Sequence, residues 1–350
     1  MQPYSHETAF AGRIDHWRCA EAIRQGSRSF HAASLILPAA VREPAYGLYA
    51  FCRLSDDAID LDGDSPTTAL TRLRQRLAAV YEGQPQPHPA DRAMADIVRR
   101  HAIPPVAPEA LLEGLEWDTQ GRRYESFDDL CAYAIRVAGT VGVMMTLIMG
   151  VRDPRALARA CELGVAMQLT NIARDVGEDA RAGRIYLPLS WLRGAGVDVE
   201  RFLADPQPVE ALKGVVARLL LEADRLYARA RDGIALLPLA CRPAILTAAL
   251  LYAEIGRQVE RQELDSITRR AHVSTRRKLA LLARAAVAAP FLKHDFGAPP
   301  LDAATFLVDA ISRAPAPRPI SRPALAEIER QLLCVLDMFE RLERVERYGE

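Results

Sequence analysis

The apolar residues of this chain recur at intervals of three and four along almost every segment longer than ten residues. This period is typical of amphipathic helices, and no alternation with a period of two is bounded by turn residues. Clusters of glycine, proline and aspartate interrupt the pattern and predict where helices end. These clusters lie at 62–66, 82–89, 103–105, 152–154, 182–183, 194–196, 205–206 and 238–243. The sequence therefore predicts an all-α fold.

The domain organisation follows from the absence of repeats and from one proline-rich stretch. No internal period of 20 to 50 residues is present, which disfavours a solenoid. We predict one helical domain over residues 1–297. Residues 298–350 contain a proline-rich link and a C-terminal helix with an apolar stripe, which has to be buried against another surface. We expect this helix to pack on the same domain, with a dimer contact or a membrane surface as the alternatives.

Two groups of acidic residues occur where helices with apolar faces are predicted to end. The five residues are Asp56, Asp57, Asp60, Asp175 and Asp179. Each group contains a pair of aspartates four residues apart, on one face of a helix. Like charges at this spacing destabilise a helix by about 0.2–0.5 kcal/mol, and acids near a helix C-terminus also oppose its dipole. Two such groups in one chain indicate a shared function that compensates for this cost.

Neighbouring side chains suggest what the two acidic groups bind. Asn171 precedes Asp175 by one turn, so an amide oxygen joins the carboxylates on one stripe. Oxygen ligands suit Mg²⁺, with Mn²⁺ as an alternative, and neither stripe contains the His or Cys typical of zinc or copper sites. Arg53 and Arg174 could bind phosphate oxygens, although Arg53 could instead neutralise the first acidic group. We predict that both groups face one cavity and hold a diphosphate through Mg²⁺.

The longest uncharged apolar run, residues 137–151, lies between Arg136 and Arg152. It is shorter than the roughly 18 residues that a membrane span needs, so we predict a buried helix. Its glycines allow close approach of a neighbour, and its methionines adapt to irregular shapes. By itself the run is typical of a core helix; beside a diphosphate site it predicts an apolar tunnel.

Composition restricts the partners and the compartment. Lys plus Arg and Asp plus Glu number 45 each, so no overall field attracts nucleic acid or an anionic membrane. Residues 1–12 are polar and mixed, unlike a secretory signal peptide. The six cysteines are scattered without a CxxC pair, as expected for reduced thiols. We therefore expect a cytoplasmic protein that does not bind nucleic acid.

Five segments together resemble the squalene and phytoene synthases, the family that joins two isoprenyl diphosphates head to head. These segments are 26–30, 49–60, 138–142, 168–188 and 267–272. The segment 168–188 is highly specific, the similarity extends over about residues 19–284, and the bacterial phytoene synthases are the most similar. The resemblance implies an isoprenoid synthase fold, a single helical bundle around a central apolar cavity.

The resemblance also implies roles for individual residues. Those implied to hold Mg²⁺ are Asp56, Asp57, Asp60, Asn171, Asp175 and Asp179. Those implied to contact diphosphate or to shape the substrate site are Ser27, Ser29, Phe30, Arg53, Gln168, Asn171, Arg174, Tyr252 and Arg269. Tyr49, close to the first acidic group, is implied to assist ionisation or proton removal.

The implied reaction condenses two geranylgeranyl diphosphates through prephytoene diphosphate to 15-cis-phytoene, with Mg²⁺ and without NADPH. It further implies a downstream phytoene desaturase as partner and peripheral contact with the inner face of the cell membrane for product release. Two alternatives stay open. A squalene or dehydrosqualene synthase would use farnesyl diphosphate in a shallower tunnel, and an inactive helical scaffold would bind a partner without turnover.

Overall fold

The computed structural model describes residues 9–60 and 65–315. The regular secondary structure in these residues consists of helices joined by turns and loops, and no strand is present there. The first helices are α1 (Arg13–Gly26), α2 (Arg28–Ser34), α3 (Ala39–Asp60), α4 (Pro66–Tyr81), α5 (Pro89–His101) and α6 (Val106–Thr119). Then follow α7 (Phe127–Ala134), a π-helical turn (Ile135–Gly139), α8 (Thr140–Ile148), α9 (Pro154–Arg181), α10 (Leu189–Gly194) and α11 (Val199–Ala204). The last are α12 (Glu210–Ile234), α13 (Arg242–Arg261), α14 (Thr275–Ala288) and α15 (Thr305–Arg313). The predicted all-α class is confirmed.

Helix starts coincide with the predicted breaks because the residues there satisfy free backbone groups. Ser65 caps α4 by accepting a hydrogen bond from the Thr68 amide, and Asp153 caps α9 in the same way. Both helices then begin with proline, whose missing N–H has no partner to lose at the first helical position. The local sequence thus determines where these helices begin.

Helix α9 is the centre of the bundle and packs against α7, α8, α12, α13 and α15. Glycines bring α8 and the π-helical turn close to it. A β-carbon on Gly142 would overlap the carbonyl oxygen of Ala160, and one on Gly164 would overlap that of Ala138. The two backbones are therefore in direct contact, which larger residues would prevent.

The continuous helical stretch Phe127–Ile148 is long and apolar enough to cross a membrane, with a mean hydropathy of 1.6, and is alone in this within the described ranges. Sixty-one per cent of the 18-residue apolar part of this stretch is buried inside the protein. It is a core helix, as predicted for residues 137–151. Its π-helical turn, Ile135–Gly139, is a feature that often marks functional sites.

Residues 298–315 return to the bundle. Leu307 and Ile311 of α15 are buried, and α15 packs against α6 and α9. The guanidinium of Arg159 donates a hydrogen bond to the carbonyl of Ala298 at 2.5 Å. The predicted C-terminal helix lies within 316–350, outside the described residues, and its packing stays a prediction.

Candidate active site

The two acidic groups converge on a third carboxylate, Asp118, near the end of α6. Burial raises the pKa of Asp118 to about 6, and the charge of Asp56 contributes to this rise. Asp118 in turn contributes to the raised pKa of Asp179. The hydroxyls of Tyr133 and Tyr186 each donate a hydrogen bond to Asp118 at 2.9 Å. Asp56 of α3 and Asp179 of α9 are therefore both close enough to Asp118 for their charges to interact with it.

Two arginines neutralise the second acidic group only in part. Asp175 accepts hydrogen bonds from Arg174 at 2.8 Å and from Arg270 at 3.0 Å. Burial alone raises the pKa of Asp175, but these arginines outweigh it and the net pKa is lowered. Asp179 has the opposite shift, because burial and the charge of Asp175 raise its pKa to about 7. The nearby charge of Arg184 lowers the pKa of Asp179, but burial and Asp175 outweigh it.

Asn171 provides an oxygen that is available to a ligand. Its side-chain carbonyl is buried and has no hydrogen-bond partner among the described residues. Leaving such a group unpaired costs about 1–3 kcal/mol. Within the described part of the chain, no three His, Cys, Asp or Glu side chains are grouped to hold a metal ion. The side chain of Asp60, which ends α3, lies outside the described residues.

The first acidic group is more open. Asp56 is exposed. Asp57 pairs with Arg53 at 2.8 Å, one turn earlier on α3. The alternative in which Arg53 neutralises an acid of its own helix is therefore present in this structure. Tyr49 lies one turn before Arg53, and its hydroxyl occupies the space that a side chain on Gly26 would need. Gly26 thus allows α1 to pass close to this tyrosine.

An aromatic pair lies beside the second acidic group. The rings of Phe30 and Tyr252 stack with centroids 5.0 Å apart. Burial raises the pKa of Tyr252 to about 12, although the nearby charge of Arg174 acts in the opposite direction. Ser27 is the N-cap of α2 and accepts a hydrogen bond from the Phe30 amide at 3.3 Å. Ser29 belongs to α2, but its side chain lies outside the described residues.

Gly177, within the second acidic group, allows a distant segment to lie against α9. Its amide donates to the carbonyl of Ser266 at 2.9 Å, and an added β-carbon would lie 2.6 Å from the Ile267 α-carbon. Arg181 fixes the same segment by donating to the Ile267 carbonyl at 2.6 Å. These contacts bring Arg270, three residues later, to the second acidic group.

Arg269 and Arg270 therefore have different surroundings. Arg270 pairs with the second acidic group, whereas Arg269 is exposed and lines a surface pocket with Lys213 and Asp265. The diphosphate contact predicted for Arg269 stays a prediction. Sequence reasoning did not single out Arg270, although it lay within the motif 267–272.

Asp118 and Tyr133 were also missed, and no local pattern pointed to them. Both are helical residues outside the motifs described above. Their importance shows only in the hydrogen bond between them, which spans 15 positions of the chain. Tyr186 was quoted only as part of the segment 168–188, and its contact with Asp118 spans 68 positions of the chain.

A half-buried stripe of α9 runs from apolar to polar although neighbouring helices surround this helix. Its apolar members are Ala160, Leu163 and Met167, and its polar members are Gln168, Asn171, Arg174, Asp175 and Asp179. On the π-helical turn and α8, another half-buried stripe consists of Val137, Ala138, Val141 and Met145. The partly accessible residues of these interior helix faces therefore change from apolar to acidic along α9, an order that suits a long apolar chain with a diphosphate head.

Comparison with known proteins gives the same family as the motifs. The model of the squalene/phytoene synthase family matches residues 23–277, well over half of the chain. The chain is 53% identical over 273 residues to the phytoene synthase of Rhodobacter capsulatus, covering 77% of this chain and 80% of that protein. It is 49% identical over 330 residues to the phytoene synthase of Cereibacter sphaeroides, covering 89% and 93% of the two chains.

Among solved structures, a dehydrosqualene synthase in complex with ligand matches with a TM-score of 0.70 and 31% identity. The match covers 78% of this chain and 95% of that chain. Fold, motifs and relatives agree: the chain belongs to the squalene/phytoene synthase family.

Proposed function

We propose that the chain condenses two molecules of geranylgeranyl diphosphate head to head, through prephytoene diphosphate, to 15-cis-phytoene. Relatives 53% and 49% identical over most of the chain make it a phytoene synthase, a prenyltransferase of carotenoid and isoprenoid biosynthesis. The observation that carries the substrate proposal is the stripe of α9, which joins an apolar half to the acidic groups around Asp118.

Magnesium, or manganese in its place, fits the donors of this site. The donors are oxygens only, and Asn171 has an unpaired buried carbonyl among the described residues. The residues that would hold the metal are Asp56, Asp57, Asp60, Asn171, Asp175 and Asp179. When bound, the metal would stabilise the negative charge that develops on the departing diphosphate.

The arginines bind and orient the diphosphate head. Arg174 and Arg270 already lie at the second acidic group, and Arg53 lies one turn from the first. Hydrogen bonds from these arginines to the charged diphosphate are stronger than those between neutral groups. Ser27 and Ser29 are further diphosphate contacts that we propose from the family resemblance.

The apolar part of the site protects the reacting carbons from water. Departure of diphosphate leaves an allylic carbocation, which the double bond of the second chain must reach before water does. Met167 and Gln168 mark the change from apolar to polar lining on α9, so the reactive carbon lies near them. Phe30 and Tyr252 stack on each other and offer aromatic faces to the substrate. We propose from the family resemblance that Tyr49 assists ionisation or proton removal.

We further propose a cytoplasmic enzyme that contacts the inner face of the cell membrane and transfers its product to a phytoene desaturase. Phytoene is a long hydrocarbon without a polar group, so it partitions into a bilayer rather than water. The net charge of zero gives no reason to expect nucleic acid as a partner.

Product analysis of the purified full-length chain tests this function. It is incubated with geranylgeranyl or farnesyl diphosphate, each with and without NADPH, in Mg²⁺ or in EDTA. We expect phytoene from geranylgeranyl diphosphate, in Mg²⁺ only and independently of NADPH. Preferential turnover of farnesyl diphosphate would favour a squalene or dehydrosqualene synthase, and no diphosphate release from either substrate would favour a scaffold.

A further inference from the structure

Positive charge is concentrated in one segment of a chain that is neutral as a whole. Residues 266–294 contain seven arginines and lysines and no acidic residue, whereas the full chain has 45 of each sign. Two of the seven, Arg270 and Arg277, pair with Asp175 and Glu254 of other helices. This segment includes α14. Local positive charge on one helix is the pattern of helices that bind acidic surfaces.

Helix α14 has one face in the bundle and one in solvent. Leu281, Leu282 and Ala285 are buried, and α14 packs against α13. Val287 is 72% exposed, and Phe291, in the turn after the helix, is 79% exposed. These two large apolar side chains, four residues apart, form a small exposed apolar patch.

Basic side chains flank this apolar pair. Arg284 lies one turn before Val287, and Lys293 follows Phe291 by two residues; both are exposed. Arg276 is also exposed, two turns before Arg284. Cations around a small apolar patch match the interface of an anionic bilayer, where charges meet headgroups and apolar side chains enter the acyl boundary.

The segment also connects this surface with the active site. Arg270 contacts Asp175 only six residues before Arg276, and Gly177 and Arg181 hold the connecting backbone against α9. A surface that bound a bilayer here would lie close, along the chain, to the segment that contacts the second acidic group.

We propose that the exposed face of α14 and the turn after it, from Arg276 to Lys293, bind an anionic lipid bilayer. This inference rests on the proposed function, because a hydrocarbon product has to leave for a membrane. Residues 316–350 are the other possible occupant of this face. They carry six basic and seven acidic residues, so they offer almost no net negative charge to α14.

Sedimentation of the full-length protein with vesicles tests the proposal. Vesicles of phosphatidylcholine alone are compared with vesicles containing about one third phosphatidylglycerol, without substrate. We expect at least tenfold tighter binding to the anionic vesicles. The double variant Arg284→Gln/Lys293→Gln should lose about 25-fold, because each cation near an anionic surface contributes about fivefold. The variant Val287→Ser/Phe291→Ser should lose at least tenfold.

The matched control is Ile14→Ser/Trp17→Ser, which removes another exposed apolar pair, on α1, that is 69% and 65% exposed. Its vesicle binding should equal that of the wild type. Equal binding to both kinds of vesicle, or wild-type binding by Val287→Ser/Phe291→Ser, would overturn the proposal, as would a loss confined to the α1 control.

A second measurement does not depend on removing residues. Fluorescence of the variant Phe291→Trp should be quenched by brominated lipids more strongly than that of the wild type, and equal quenching would contradict the proposal. Phytoene formation in detergent, where no bilayer is present, tests the proposed function separately. Vesicle binding can therefore fail while phytoene is still formed, and the converse also holds.

Discussion

The two acidic groups share the same spacing of aspartates but have different surroundings. At the end of α3, Asp56 is exposed and the ion pair of Asp57 is local, with Arg53 one turn away. On α9, Asp175 is mostly buried and its partner Arg270 comes from a segment 95 residues later in the chain. Asp56 of the first group is therefore open to solvent, whereas tertiary contacts hold the second group in place.

Because of this difference, the two groups should contribute differently to ligand binding and to the stability of the fold. Charges at an exposed helix end contribute little to stability, since exposed ion pairs are worth about 0–1 kcal/mol. Charges in a buried network affect both the fold and the ligand, because removing one member leaves the others without a partner. We therefore expect substitutions in the first group to affect activity alone, and substitutions in the second to affect activity and stability.

Isosteric substitutions in the two groups test this directly. Asp56→Asn and Asp175→Asn should each lower turnover by about 10²–10³-fold, as loss of one electrostatic contact in an active site does. Only Asp175→Asn should also lower the free energy of unfolding, by about 1–3 kcal/mol, because Arg174 and Arg270 lose their counter-charge. Steady-state kinetics and denaturant unfolding measure the two effects.

The control for this pair is Asp309→Asn, which removes an exposed carboxylate of α15 that pairs with Arg313 at 3.4 Å. Both its turnover and its stability should be close to those of the wild type. Normal turnover in Asp56→Asn or Asp175→Asn would contradict the proposal that the two acidic groups hold the diphosphate through Mg²⁺. An equal stability loss in those two variants would remove the contrast between the two groups.

Asp118, between the groups, should make stability depend on pH. Its pKa is raised from 3.8 to about 6, so the folded protein keeps this proton at pH values where the unfolded chain has lost it. Its contribution to the free energy of unfolding therefore falls as pH rises from about 4 to about 6, by about 2–3 kcal/mol in total.

Urea unfolding in EDTA at several pH values, compared between wild type and Asp118→Asn, isolates this contribution. In the variant that part of the pH dependence should be absent. A curve parallel to that of the wild type between pH 4 and 6 would mean that Asp118 titrates at its ordinary pKa, and that the convergence of the acidic groups is weaker than the structure indicates.

A glycine substitution tests how the second group is assembled. Gly177→Ala should push away the backbone at Ile267 and with it Arg270, lowering stability by about 1–3 kcal/mol and reducing turnover. Gly214→Ala in α12 is the matched control, since a β-carbon there meets nothing within 4 Å. It should stabilise its helix by about 0.5–1 kcal/mol. A neutral Gly177→Ala would show that the 266–270 segment can move without consequence.

The smallest expected effect distinguishes two adjacent arginines. Arg270→Gln should raise KM for the diphosphate substrate about tenfold, the size of one charge-assisted hydrogen bond. Arg269→Gln should change KM less than twofold, because Arg269 lines a separate surface pocket. If Arg269→Gln has the larger effect in initial-rate kinetics, the role implied by family resemblance is correct and the geometry of this loop changes on binding.

Sequence reasoning predicted the helical class, most helix boundaries and both acidic groups, because each depends on residues close together in the chain. Apolar periodicity, proline at helix starts and the four-residue spacing of aspartates are local properties. The segment 168–188 was also specific enough to indicate the family. For Ser29 and Asp60, whose side chains lie outside the described residues, the sequence-based roles stay predictions.

What the sequence alone determined is that two acidic helix ends exist and that an apolar helix accompanies them. Only the tertiary structure decided that Asp118 stands between them, that Arg270 rather than Arg269 reaches Asp175, and that neighbouring aspartates of α9 have pKa values shifted in opposite directions. The physical reason is that burial and long-range ion pairs depend on residues brought together by packing, such as the 95 positions between Asp175 and Arg270. No local pattern encodes such distances.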